Sequence, residues 1–281
     1  MDEGRESRAT HEEWLEKAAL AGWVLPVQVL PRDIPHLHRL LVRSLPRNST
    51  LRLLEVGAAP GRFMAYFGKH FGYAVAGIEF TSQGYNTTVE NMRRLALPAE
   101  VIHADFFVHQ FEAASFDVVF SAGFIEHFAR REEVLRRMDW LLKPRGWLVA
   151  TWPNLYGLNG WISRRLHPRV WKQHYQFRPS TVVDLLGEMG YEVNYVGPLD
   201  GPHIINPFAE VRFMTRRPLL SRLLRAPLGL FNRASHRLNM LIGFMPETFL
   251  LSGFVGVLAS ELARDSEHAL LLRCRHRHHR S

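Results

Sequence analysis

An apolar run that ends in a glycine-bracketed loop constrains this chain more than any other stretch. Residues 53–61 read Leu-Leu-Glu-Val-Gly-Ala-Ala-Pro-Gly. Leu51, Leu53, Leu54 and Val56 form a buried-strand pattern, and Phe63, Met64, Tyr66 and Phe67 then recur at helical spacing. Strand, tight loop and helix in that order open a nucleotide-type site in a doubly wound α/β sheet. Gly57 and Gly61 let the backbone pass where a Cβ would clash. The reading expects the loop's N–H groups and the following helix N-terminus to be available for polar or anionic groups. No Gly-Lys-Ser/Thr follows, which argues against a P-loop. The dinucleotide fingerprint Gly-x-Gly-x-x-Gly is also broken, with Ala59 at its second glycine and Arg62 at its third, which disfavours NAD.

The form Glu55-x-Gly57-x-x-x-Gly61 resembles motif I of the class I S-adenosylmethionine (SAM) methyltransferases, and four further landmarks follow in the same order. Tyr73-Ala-Val-Ala-Gly-Ile-Glu79 reads as a second buried strand ending in an acid. Glu79 stands where doubly wound folds set a carboxylate against ribose hydroxyls, and a carboxylate accepts strongly from both. A third strand, Glu100-Val-Ile-His-Ala104, ends at Asp105-Phe106. The resemblance implies that this acid receives the adenine amino group and that the aromatic packs beside the base. A helix N-cap and a core phenylalanine are the plainer reading of the same pair. The fourth strand, Phe116 to Ser121, runs into Ala122-Gly-Phe-Ile-Glu-His-Phe128, similar to the family's Glu-His signature. Leu141-Leu-Lys-Pro-Arg-Gly146 and the apolar run behind it are similar to the Leu-Lys-Pro-Gly-Gly block, with Arg145 standing where that block carries a glycine. Trp152-Pro-Asn-Leu-Tyr-Gly-Leu-Asn-Gly160 and a later His174 resemble a group of bacterial and archaeal small-molecule methyltransferases.

The resemblance covers about residues 50–197. It implies a seven-stranded, mostly parallel Rossmann-like sheet whose last strand is antiparallel. It also implies SAM as cofactor, with Glu55, Gly57, Ala58, Ala59, Gly61, Glu79, Phe80, Asp105, Phe106, Ser121 and Glu126 as its binding residues. Ala58 and Ala59 replace the usual Gly or Cys of motif I.

The SAM methyl group is already activated by its sulfonium, so the enzyme's work is to position the acceptor, exclude water and remove a proton where needed. His127, His174 and Tyr175 are the candidate bases, because imidazole titrates near neutral pH. The alternatives stay open: Glu126 and His127 orienting the methionine end of SAM, and His174 as a satisfied buried histidine. The only cysteine, Cys274, lies in the terminal tail, so the Cys nucleophile of C5-pyrimidine methylation is missing. Ser121-Ala-Gly-Phe124 replaces the Asn/Asp-Pro-Pro-Tyr/Phe of adenine amino methylation. Modification of nucleic-acid bases is therefore disfavoured. O-methylation of a small-molecule, glycan or lipid-linked acceptor fits best, with N- and C-methylation open. A Rossmann-type NAD(P) oxidoreductase and a SAM-binding protein without turnover are the competing readings.

The 281 residues suit one α/β domain with additions, and 47% apolar content is that of a globular chain. The expected division is a helical cap over 1–48, the SAM-binding core over 49–199, an insertion over 200–250, the closing strand within 251–265 and a basic His/Arg-rich tail over 266–281. The insertion mixes Leu and Phe with Arg212, Arg216, Arg217, Arg222, Arg225, Arg233 and Arg237, a basic amphipathic pattern. A lid, an anionic-lipid contact and a homodimer interface are its three readings. His276, His278 and His279 have no zinc-site spacing, and no metal is expected. The charged N-terminus and the lack of a long apolar run give an expected cytoplasmic location, peripheral at the membrane if the insertion docks there. A net charge of +8 suits anionic partners.

Overall fold

The computed structural model describes residues 25–108, 111–166, 168–199 and 254–261, with six residues between 227 and 234. Residues 1–24 of the expected helical cap, nearly all of the 200–250 insertion and the tail lie outside them, as do His109 and His167.

Seven strands form one sheet in the order β3-β2-β1-β4-β5-β7-β6. β1 (Arg52–Val56) lies parallel between β2 (Ala74–Glu79) and β4 (Phe116–Ala122). β3 (Ala99–His103) extends the parallel set beyond β2, and β5 (Leu142–Pro153) extends it beyond β4. β7 (Phe254–Glu261) runs antiparallel between β5 and β6 (Tyr191–Pro198). The expected Rossmann-like sheet is what forms. The strand order reverses between β1 and β4, the place where such sheets open a crevice at their carboxyl ends.

The sheet is buried on both faces, which is why its central strands read as continuous apolar runs. Neighbouring residues point to opposite sides. Leu54 and Val56 pack into one core with Phe116, Val119, Leu135 and Leu148. Leu53 packs into the other with Met64, Phe67, Val118 and Phe120. Helices α1 (Pro35–Ser44), α2 (Arg62–Phe71), α3 (Ser82–Arg94), α4 (Arg131–Leu141), α5 (Leu158–Leu166), α6 (Pro168–Lys172) and α7 (Pro179–Glu188) complete the described part. Pro at the first helical position suits the starts of α1 and α7, since its missing N–H has no intrahelical acceptor there.

Lys143-Pro-Arg-Gly146 loops out of β5: Leu142 pairs with Phe116, then Trp147 with Val118. Arg145 sits at φ +64°, a left-handed conformation that explains why a glycine suits this position. Its N–H donates to Glu261 Oε2 at 3.0 Å.

Candidate functional site

The glycine loop leaves β1 with Gly57 at φ +71° and re-enters helix at Gly61, φ +82°. A Cβ on Gly57 would stand 3.3 Å from the Phe124 ring, and one on Gly61 would stand 2.8 Å from Met92 Cε. Glycine therefore supplies both the turn and the close approach.

The loop N–H groups, expected from the sequence to be open to polar or anionic groups, are engaged within the protein. Gly57 and Ala58 both donate to the Ile78 carbonyl, at 3.0 and 3.1 Å, Gly61 donates to the Ala58 carbonyl, and Ala59 donates to Glu79 Oε2 at 3.2 Å. A short loop beside a parallel neighbour meets that neighbour's terminal carbonyl and acid before it meets solvent. These bonds set the loop's shape against the end of β2.

Glu55 is buried at the end of β1, and its Oε2 accepts the Met64 N–H at 2.8 Å. It thus holds the first turn of α2. Burial pushes its carboxyl up to about 8, against a lowering contribution from the Met64 hydrogen bond.

Glu79 joins three elements. Its Oε1 accepts from the Thr81 N–H (3.0 Å) and hydroxyl (2.8 Å), and its Oε2 accepts from Ala59. Thr81 Oγ in turn accepts the Gly84 N–H and caps α3. A carboxylate offers about four lone-pair positions, so a ligand donor can still be accepted. Beside it Phe80 is 43% exposed. Asp105 Oδ1 accepts the Phe107 N–H at 2.8 Å and closes the turn after β3. Phe106 is buried edge-on against Phe107 and Phe124. Ser121, in register with Val56 across the strand reversal, is buried, and its Oγ has no hydrogen-bond partner among the described residues. A buried hydroxyl without a partner is costly, and a bound ligand is one way to satisfy it.

On the other side of β4, a short 3-10 turn (Ile125–His127) carries Glu126 and His127. These two and His174 are 2%, 1% and 6% exposed. The His127 and His174 rings lie 4.6 Å apart. The Tyr175 N–H donates to the Glu126 carbonyl at 2.7 Å, and His127 Nδ1 meets the Gln173 carbonyl at 2.9 Å. A carbonyl only accepts, so Nδ1 carries the proton and Nε2 the lone pair. A small pocket lies beside this cluster, lined by Glu126, Trp152, Asn154, Tyr156, Tyr175 and Phe177.

The expected site residues thus collect at the carboxyl ends of β1 to β4, with the two histidines and Tyr175 brought to the β4–β5 side. Three residues without an assigned role in the sequence reading help to build the site. Buried Asn91 donates to the Pro60 and Val27 carbonyls and accepts the Val27 N–H, tying α3 and the N-terminal segment to the glycine loop. Gly84 lets α3 approach, since a Cβ there would lie 2.7 Å from Glu79 Oε1. Phe124 fills the space over Gly57. Asn91 and Gly84 are both unfavourable helix residues inside a helical stretch, the one signal that could have found them.

Residues 54–150 match a family model described as a methyltransferase domain. No curated protein matches the sequence. Among solved structures, a SAM-dependent methyltransferase from Aquifex aeolicus is similar in fold (TM-score 0.53, 14% identity, 83% of this chain and 92% of that one). So is a putative sarcosine dimethylglycine methyltransferase from Galdieria sulphuraria (TM-score 0.58, 17% identity, 83% and 87%). A third is phosphoethanolamine N-methyltransferase 2 of Haemonchus contortus, solved with phosphomonomethylethanolamine and S-adenosylhomocysteine (TM-score 0.54, 18% identity, 82% and 53%).

Proposed function

We propose that the chain, whose residues 54–150 match a family model described as a methyltransferase domain, is a class I SAM-dependent enzyme that moves a methyl group by in-line displacement to an oxygen of a small-molecule, glycan or lipid-linked acceptor. The observation that carries this reading is the collection of Gly57, Glu79 and the Ser121 hydroxyl, without a partner among the described residues, around the strand reversal, with buried histidines on the far side of β4. SAM, when bound, supplies a methyl group already activated by its sulfonium. Glu79 would hold the ribose hydroxyls. Phe80 and Phe106 would flank the adenine, and Asp105 would take its amino group. Ser121 and Glu126 would hold the amino-acid end, and Gly57, Ala58, Ala59 and Gly61 would give it room by their small size. Glu55 contributes by holding the first turn of α2.

His127, His174 and Tyr175 stand on the acceptor side. The lone pair of His127 is on Nε2, so that is the nitrogen able to take a proton. Positioning of acceptor and methyl can supply roughly 7–11 kcal/mol of barrier reduction, and a base a further 10²–10⁴-fold. The 200–250 segment is read as a lid, with anionic-lipid contact and self-association as alternatives. Sedimentation with vesicles of neutral and of anionic lipid separates the lipid contact from the other two.

Titration calorimetry with SAM, S-adenosylhomocysteine and NAD(P), followed by a mass-spectrometric screen for acceptors gaining 14 mass units per methyl, tests the proposal. Micromolar binding of the first two and a methylated product support it. Binding of NAD(P) alone would overturn it, and SAM binding without any product would leave a binding protein.

A further inference from the structure

Glu126, His127 and His174 gather a carboxylate and two imidazoles in one buried place. We propose that they bind a divalent first-row transition-metal ion on the acceptor side of the site. One ligating atom from each lies within 4.8 Å of the others. Bonds of about 2.0–2.2 Å to a common ion would bring the atoms to about 3.4 Å of one another, which side-chain rotation can supply.

The cluster is held from two sides. The 3-10 turn fixes Glu126 and His127 through the His127 N–H to Phe124 carbonyl bond. Residues 173–175 are fastened to it by Tyr175 N–H to Glu126 O and by His127 Nδ1–H to Gln173 O, one on each side of His174. The second of these also orients a metal-binding imidazole: a backbone carbonyl on one ring nitrogen aims the other nitrogen's lone pair.

Two imidazoles and a carboxylate favour Zn²⁺, Mn²⁺, Fe²⁺ or Co²⁺ over Mg²⁺ or Ca²⁺, which prefer oxygen ligands. Three protein ligands leave a coordination position for a substrate oxygen, the arrangement of catalytic rather than structural sites. A small pocket lined by Glu126, Asn154, Tyr156 and Tyr175 borders the carboxylate ligand. In this arrangement two roles proposed above are replaced: Glu126 faces the ion and not the amino-acid end of SAM, and the histidines activate the acceptor through the ion and do not themselves take its proton. That role rests on the methyltransferase reading; binding of the ion does not.

The test uses the full chain with His276, His278 and His279 replaced by alanine, so that tail histidines bind no added metal. After chelator treatment the protein is titrated with Zn²⁺ and Co²⁺ alone. One equivalent of ion is expected, with visible Co²⁺ absorption bands. His127→Gln and His174→Gln are each expected to weaken binding about tenfold or more, with S-adenosylhomocysteine affinity retained in His174→Gln. Zinc X-ray absorption on the unsubstituted cluster needs no further variant and is expected to show two imidazoles. Absence of binding by the folded protein, or a spectrum without imidazole scattering, overturns the site. Ion uptake by a protein that fails to bind S-adenosylhomocysteine upholds the metal site and overturns the cofactor reading instead.

Discussion

Glu79 makes structural hydrogen bonds at the place proposed for the ribose. It accepts from Thr81 and Ala59, so removing the side chain would disturb the loop as well as the proposed ribose contact. Glu79→Gln keeps an acceptor oxygen and removes the charge. It is expected to weaken SAM binding by about 10–100-fold, the value of one charge-assisted hydrogen bond of roughly 1.5–3 kcal/mol. Calorimetry reads this, and unchanged affinity would remove Glu79 from the site. Glu55 makes a prediction about pH. Its carboxyl is raised from 4.5 to about 8 by burial, so the folded chain keeps a proton that the unfolded chain releases. Stability from this group is therefore present below about pH 4.5 and is lost as pH rises towards 8, at up to about 1.4 kcal/mol per pH unit. Melting temperatures between pH 5 and 8 should fall less steeply in Glu55→Gln than in the parent.

At the scale of elements, α3 sets the site by how closely it approaches. Gly84 lies inside that helix, where alanine ordinarily adds about 1 kcal/mol of helix propensity. Here a Cβ would come within 2.6 Å of Thr81 Oγ and 2.7 Å of Glu79 Oε1. Gly84→Ala is expected to displace the carboxylate, lowering SAM affinity about tenfold and the melting temperature despite the gain in propensity. A variant that melts higher and binds normally would show that the seat of Glu79 tolerates the shift. Asn91 ties the same helix to Pro60 and Val27. Its loss would free buried polar groups at about 1–3 kcal/mol.

For the whole molecule, a ligand that bridges the ends of several strands should stabilise the sheet as a unit. At a concentration 100 times its Kd, S-adenosylhomocysteine is expected to add about 2.7 kcal/mol. For a chain of this size that is a rise of roughly 5–10 °C in melting temperature. Differential scanning fluorimetry with S-adenosylhomocysteine and with NAD⁺ reads it, and a rise with NAD⁺ alone would count against the proposed function. Among the described residues no helix is long and apolar enough to cross a membrane.

What the sequence determined by itself was whatever depends on near neighbours. Apolar runs placed the strands, apolar residues at helical spacing placed α2, and Gly57 and Gly61 marked the turn between β1 and α2. Acids at the ends of β2 and β3 marked the sheet's carboxyl edge. Only the tertiary structure decided which groups meet across long separations. Asn91 finds Val27 from 64 positions away, and His127 finds Gln173 from 46. No local pattern encodes such pairings, because they arise when helices and loops pack against a finished sheet. The same holds for the N–H groups of Gly57, Ala58 and Ala59, whose acceptors, the Ile78 carbonyl and Glu79, lie on another strand.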